Sequence, residues 1–204
     1  KRLEELKAVG KVGRDEITAS TRRQVETPEF KNWFKDSKVV GKGGKPLVVY
    51  HGTTMPKDFS TFKAPAYFTS SPDGAQVFGD DAALQDVEYS EDPAREDVVI
   101  GSRLMPGYLS IKSPMVAQDF GDFAEWDARK RTAAEKRGFD GVTITMPDNG
   151  EQLWMAFRPE QIKSAIGNRG TFDANDPDIR RSTRRPISVT GIHYSQAPRT
   201  ILSS

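Results

Sequence analysis

At 204 residues with 36% hydrophobic side chains, the chain is long enough for one domain with a real core and leaves residues over for solvated segments. Thirty Lys+Arg against 29 Asp+Glu leave a net charge of +1, so no global field argues for nucleic acid or another polyanion as partner. Cysteine is absent and histidine occurs only twice, which excludes disulfides and thiolate metal sites and leads us to expect no metal; no apolar run approaches the ~18 residues of a membrane span.

Residues 1–27 are charged, with Leu3, Leu6 and Val9 on one helical face, and read as a solvated helical or linker segment. Because the chain opens on Lys1 in place of methionine and ends within what reads as a strand or loop, it reads as a piece of a longer polypeptide. Thr27-Pro28-Glu29 supplies an N-cap, a proline at the first helical position and an acidic first turn, and Phe30, Trp33 and Phe34 follow at i, i+3 and i+4. That predicts a short helix laying an aromatic face on a sheet.

The turn Gly41-Lys42-Gly43-Gly44-Lys45-Pro46 joins Val39-Val40 to Leu47–Tyr50 and predicts a hairpin whose second strand ends at His51. A loop with aromatic anchors Phe59 and Phe62 follows, then a short strand at Tyr67–Thr69. From Pro72 we expect one helix, passing into an acidic, mobile loop from about Asp80 to Asp97. Val98–Ile100 and Gly107–Ile111 read as strands, the second closed by Pro114, and Asp122–Arg137 as one helix stopped by Gly138. Strands at Phe139–Thr145 and Leu153–Phe157 follow, with an exit helix started by Glu160 and Gln161; Asp140 reads as a turn or strand-start hydrogen-bonding group.

The domain is therefore set at residues 28–179. Residues 180–204, carrying Arg180-Arg181 and Arg184-Arg185, form a basic linker and the start of a further segment in which His193 needs only a structural role.

The stretch Val48-Val49-Tyr50-His51-Gly52-Thr53-Thr54 presents one of the two histidines from a β-branched strand; Tyr67 comes sixteen residues later and Phe78 eleven after that. A dinucleotide offers ribose hydroxyls, a carboxamide and a flat cationic ring, which a histidine, backbone amides and two aromatic faces can hold. His51, Gly52, Tyr67 and Phe78 supply such a set, with Gly52 allowing the backbone to approach the carboxamide.

The order and spacing of these residues resemble the His-Tyr-Glu branch of ADP-ribosyltransferases, the diphtheria-toxin and poly(ADP-ribose) polymerase type. More narrowly, Tyr50-His51-Gly52-Thr53, Tyr67-Phe68-Thr69, Gly138-Phe139-Asp140-Gly141 and the run from Phe157 to Ala165 look like the ADP-ribosyltransferase domain of bacteriophage polyvalent proteins, and residues 192–201 resemble the start of a segment that often follows it.

The resemblance implies an α+β fold of two small packed β-sheets with surrounding helices and a central NAD cleft. It assigns NAD as substrate to His51, Gly52, Thr53, Tyr67 and Phe78, the last being phenylalanine where many relatives have tyrosine. The family's third motif places a glutamate at the start of a strand where Leu153 stands here, preceded by Glu151 and Gln152. Three possibilities stay open: Gln152 bonds the ribose, a bulge brings Glu151 in, or Leu153 marks an enzyme that takes its base from the substrate.

The function implied is mono-ADP-ribosylation of a host or competitor protein by a soluble, monomeric effector or toxin in the cytoplasm of a bacterial or infected cell. The alternatives are an RNA-directed, NAD-dependent enzyme of the same fold and a module that binds NAD or a partner without catalysis.

Overall fold

The computed structural model describes residues 24–54, 59–88, 103–166, 168 and 172–180, without the side chains of 81–88. The fold is α+β. Helix α1 spans Pro28–Phe34, with the Thr27 hydroxyl accepting from the Phe30 amide at 3.2 Å as the sequence signal predicts. Its three aromatic residues are buried against Tyr108 and Phe172, and Phe30 meets the Tyr108 ring edge-on at 4.9 Å. Each such burial is worth about 1.5–3 kcal/mol, which is what holds a seven-residue helix that would not form alone. Gln24 and Val25 also pack here, so the fold begins slightly ahead of the aromatic helix.

Strands β1 (Val49–Thr53), β2 (Ala66–Thr69), β3 (Arg103–Leu109), β4 (Pro114–Val116), β5 (Gly141–Thr145), β6 (Gln152–Ala156) and β7 (Ile162–Ser164) form one ladder in the order β4-β5-β6-β2-β1-β3-β7. All neighbours are antiparallel except β4 and β5. The two expected sheets are present as halves of this ladder, since β1 and β2 share a single register pair, Tyr50 with Thr69. The halves also share a core: Val49, Leu109 and Ile162 from one meet Phe68, Trp154 and Ala156 from the other. On the far face of β5 and β6, Val142, Ile144, Leu153 and Met155 pack with Phe123 and Ala134 from the helices.

Several expectations change. The predicted hairpin reduces to one bridge, Val40 with Pro46, around a 3-10 turn, and β1 runs past His51 to Thr53, so the histidine lies mid-strand. Helix α2 (Pro72–Glu88) continues through the segment read as a loop from Asp80; the rest of that segment and Val98–Ile100 lie outside the described residues, as does His193. Pro114 opens β4 instead of closing a strand.

The single helix expected over 122–137 is two, α3 (Phe120–Ala124) and α4 (Ala128–Lys136), each started by an aspartate N-cap: Asp119 accepts from the Asp122 amide and Asp127 from the Lys130 amide. Gly138 stops α4 at φ 88°, as expected. Asp140 is structural, its carboxylate accepting from the Lys112 and Ser113 amides at 2.8 and 2.7 Å. Pro159–Gln161 is a 3-10 turn leading into β7.

Candidate active site

The register Tyr50–Thr69, continued two residues, would set Gly52 opposite Tyr67, yet β1 and β2 part there. His51 Nδ1 instead bonds the Tyr67 carbonyl at 2.8 Å, so a side chain holds the two strands where their ladder stops. The parting opens a cavity of about 380 Å³, lined by Tyr50, His51, Gly52, Tyr67, Thr69, Phe78 and Leu153 among others. That is the low end of the range for small-molecule sites and suits half of a dinucleotide.

The His51 ring is packed edge-on against Phe62 at 5.0 Å and tilted against Phe68 at 5.4 Å. Burial among these rings lowers its pKa, the carbonyl bond opposing that shift only in part. The imidazole is neutral at pH 7. With the Nδ1 proton donated to Tyr67 O, the tautomer the bond assigns, Nε2 is an acceptor, the group a sugar hydroxyl requires.

Gly52 is where only glycine fits, although the reason differs from the expected approach of a carboxamide. A Cβ there would lie 2.1 Å from the Ala75 carbonyl oxygen and 2.8 Å from the Gly79 amide nitrogen, both backbone atoms of α2. Glycine lets the helix seat directly on β1, and this carries Phe78 to the cavity wall.

Tyr67 presents its ring from β2 and is steadied by an edge-on contact with Phe123 at 5.7 Å; burial raises its phenol pKa, so it stays protonated. Phe78 is 47% exposed. Thr53 is buried at the end of β1 opposite Arg103 and does not line the cavity.

The three third-motif residues separate clearly. Leu153 is a buried apolar wall of the cavity. Gln152 alternates onto the Trp154 face, and its backbone is tied to Ser70, the Gln152 amide donating to Ser70 Oγ at 2.9 Å. Glu151, one residue before β6, shares the Leu153 side by alternation. Its carboxylate accepts a hydrogen bond from the hydroxyl of Thr69, a cavity-lining residue, and lies against Gly74 in the first turn of α2, where a Cβ would clash with Oε1. Asn149 Nδ2 donates to the other oxygen at 3.3 Å. Glu151 thus contacts one residue that lines the cavity, Thr69, without itself being part of the lining.

Sequence reasoning missed one wall, made by Phe120, Phe123 and Ala124 of α3. The signal was there: Asp119 and Asp122 are spaced as a reciprocal cap, and Gln118 N donates to Asp122 Oδ2 at 3.2 Å. Among the described residues no group of three or more acidic or histidine side chains is placed to hold a metal, and no helix is long and apolar enough to cross a membrane.

No curated protein and no solved structure matches the chain. A family model described as ADP-ribosyltransferase in polyvalent proteins matches residues 41–172, well over half of the sequence and every residue discussed around the cavity. The chain therefore belongs to the ADP-ribosyltransferase domains of polyvalent proteins, a family whose substrate is NAD.

Proposed function

We propose that this chain is a mono-ADP-ribosyltransferase that breaks the nicotinamide–ribose bond of NAD and passes one ADP-ribose unit to a protein of a host or competitor cell. The observation that carries this is the convergence of His51, Tyr67 and Phe78 on one cavity, with His51 Nε2 left as a neutral acceptor. The cationic nicotinamide ring lies against the aromatic faces of Tyr67 and Phe78, and a ribose hydroxyl donates to His51 Nε2. Nicotinamide leaves with the bonding electron pair and positive charge develops at C1′. The acceptor's lone pair forms the new bond there, and its proton is released to solvent. Such a reaction asks for a held geometry and charge stabilisation more than for a strong nucleophile.

Glu151 is the carboxylate best disposed to stabilise that charge, acting beside Thr69. Its oxygens accept from Thr69 and Asn149, which holds it in one place before β6, and single transfer is the reading we keep over chain elongation. The apolar Leu153 at the family's glutamate position favours a second reading, a module that binds NAD without cleaving it.

Labelled NAD incubated with the protein and a bacterial or eukaryotic lysate distinguishes these. Label on a discrete protein band, lost in His51→Ala and Tyr67→Ala and reduced more by Glu151→Gln than by Gln152→Ala, is expected. NAD binding without nicotinamide release would favour the module, and release that requires RNA would favour an RNA-directed enzyme.

A further inference from the structure

Two large apolar side chains on the cavity wall stay half in solvent: Phe78 at 47% exposure and Phe120 at 43%. They come from different elements, α2 and α3, and both line the same cavity. Phe120 adds little to the interior; among the described residues its one ring contact is with Phe123 at 6.5 Å, and it stands outside the buried cluster that Phe123 joins.

Its position is nevertheless held. Asp119 Oδ1 accepts from the Asp122 amide at 2.8 Å, Trp126 Nε1 donates to the Asp122 carbonyl at 2.9 Å, and the Tyr67 hydroxyl donates to the Ala124 carbonyl at 3.4 Å. Phe123 anchors the same turn edge-on against Tyr67. A five-residue helix is thereby fastened at its start, middle and end, and presents an apolar ring to the cavity that Tyr67 and Phe78 also line.

We propose that Phe120 is a third aromatic contact for the nicotinamide end of NAD, closing over the ring from the side opposite the α2 wall. The inference rests on the reading that this cavity takes NAD. The aromatic surfaces of Phe120, Phe78 and Tyr67 favour a flat cation, and nicotinamide carries its positive charge only while bonded to ribose. The contact is therefore stronger to bound substrate than to the separating products. It lowers KM and does not raise kcat.

The test is calorimetric titration of the unmodified chain, Phe120→Ala and Phe120→Tyr with NAD and with ADP-ribose, which lacks the nicotinamide, beside steady-state nicotinamide release. Loss of one aromatic contact is expected to weaken NAD binding about three- to tenfold in Phe120→Ala, with KM rising alike and kcat unchanged or higher. ADP-ribose affinity stays within about twofold, Phe120→Tyr retains NAD affinity, and thermal unfolding of all three chains coincides, as expected for a half-exposed side chain.

If the unmodified chain binds NAD and Phe120→Ala binds it equally well, or loses ADP-ribose to the same extent, the third contact is wrong while the NAD reading stands. If the unmodified chain binds no NAD, both fall.

Discussion

Two polar side chains of this molecule have been taken largely out of water to different ends. Lys163, wholly buried on β7, gives its ammonium protons to the carbonyls of Asp176 and, at 3.0 Å, Asp178. It fastens residues 172–180 across the core. Burial lowers its pKa, and the nearby charges of Asp176, Asp173, Asp178 and Glu160 act against that shift. His51, also desolvated, commits one nitrogen to the Tyr67 carbonyl and belongs to the lining of a cavity. A buried group bonded to the backbone from within serves the fold; one that keeps an acceptor and lines an aromatic cavity is available to a ligand.

The sharpest way to break that contrast is to remove each group. His51→Ala is expected to lower ADP-ribose transfer by roughly 100-fold or more, the scale on which a single oriented polar contact acts in an active site. Lys163→Met should instead strike stability, because two carbonyls lose their donor at about 1–3 kcal/mol each, while the protein that stays folded retains NAD binding. Chemical denaturation read beside nicotinamide release separates the outcomes; Lys163→Met abolishing release at full stability would contradict the division of roles.

A second pair is formed by two glycines on the α2 side of the site. Gly52 faces backbone that cannot move, so Gly52→Ala should cost about 1–3 kcal/mol or more and displace the helix carrying Phe78. Gly74 faces only the tip of Glu151, which can swing away. Gly74→Ala should therefore change stability by about 1 kcal/mol or less and lower transfer about tenfold by dislodging the carboxylate. Equal activity in Gly74→Ala and the unmodified chain would argue that Glu151 only ties β6 to α2.

The smallest effect is in pH. Above the ordinary histidine value of 6.5, His51 is neutral folded and unfolded and contributes no slope. As pH falls below 6.5 the unfolded chain takes up a proton that the folded chain, its pKa lowered, does not, so stability declines until the folded pKa is passed. NAD binding weakens only once that lower pKa is reached and Nε2 becomes a donor. Denaturation midpoints across pH 5–8, with His51→Ala lacking this part of the slope, check the sign.

Much of this site is legible in the amino-acid sequence because its parts are local. The Thr27 cap and Tyr67 sit on short elements with strong signals and lie where expected, and the His51-Gly52 pair is on the expected strand, though inside it and not at its end. What is not legible depends on long-range contact. The reason for Gly52 lies in a helix more than twenty residues away, and the parting of β1 from β2 depends on a side chain replacing a ladder bond. The α3 wall was missed because residues 122–137 read as one helix, across the break before the second cap at Asp127. The third motif stayed open for the same reason: Glu151 is recognised by the Thr69 hydroxyl and the Gly74 gap, neither adjacent in sequence.

The central claim is that the cavity between β1 and β2 binds NAD and breaks its nicotinamide bond. The most direct measurement is nicotinamide release by the purified chain across an NAD titration, with His51→Ala and Tyr67→Ala alongside and their folding checked by thermal unfolding. Saturable release by the unmodified chain, lost in both folded variants, is the predicted result. Release that persists undiminished in both variants, or no NAD binding at all, would contradict it.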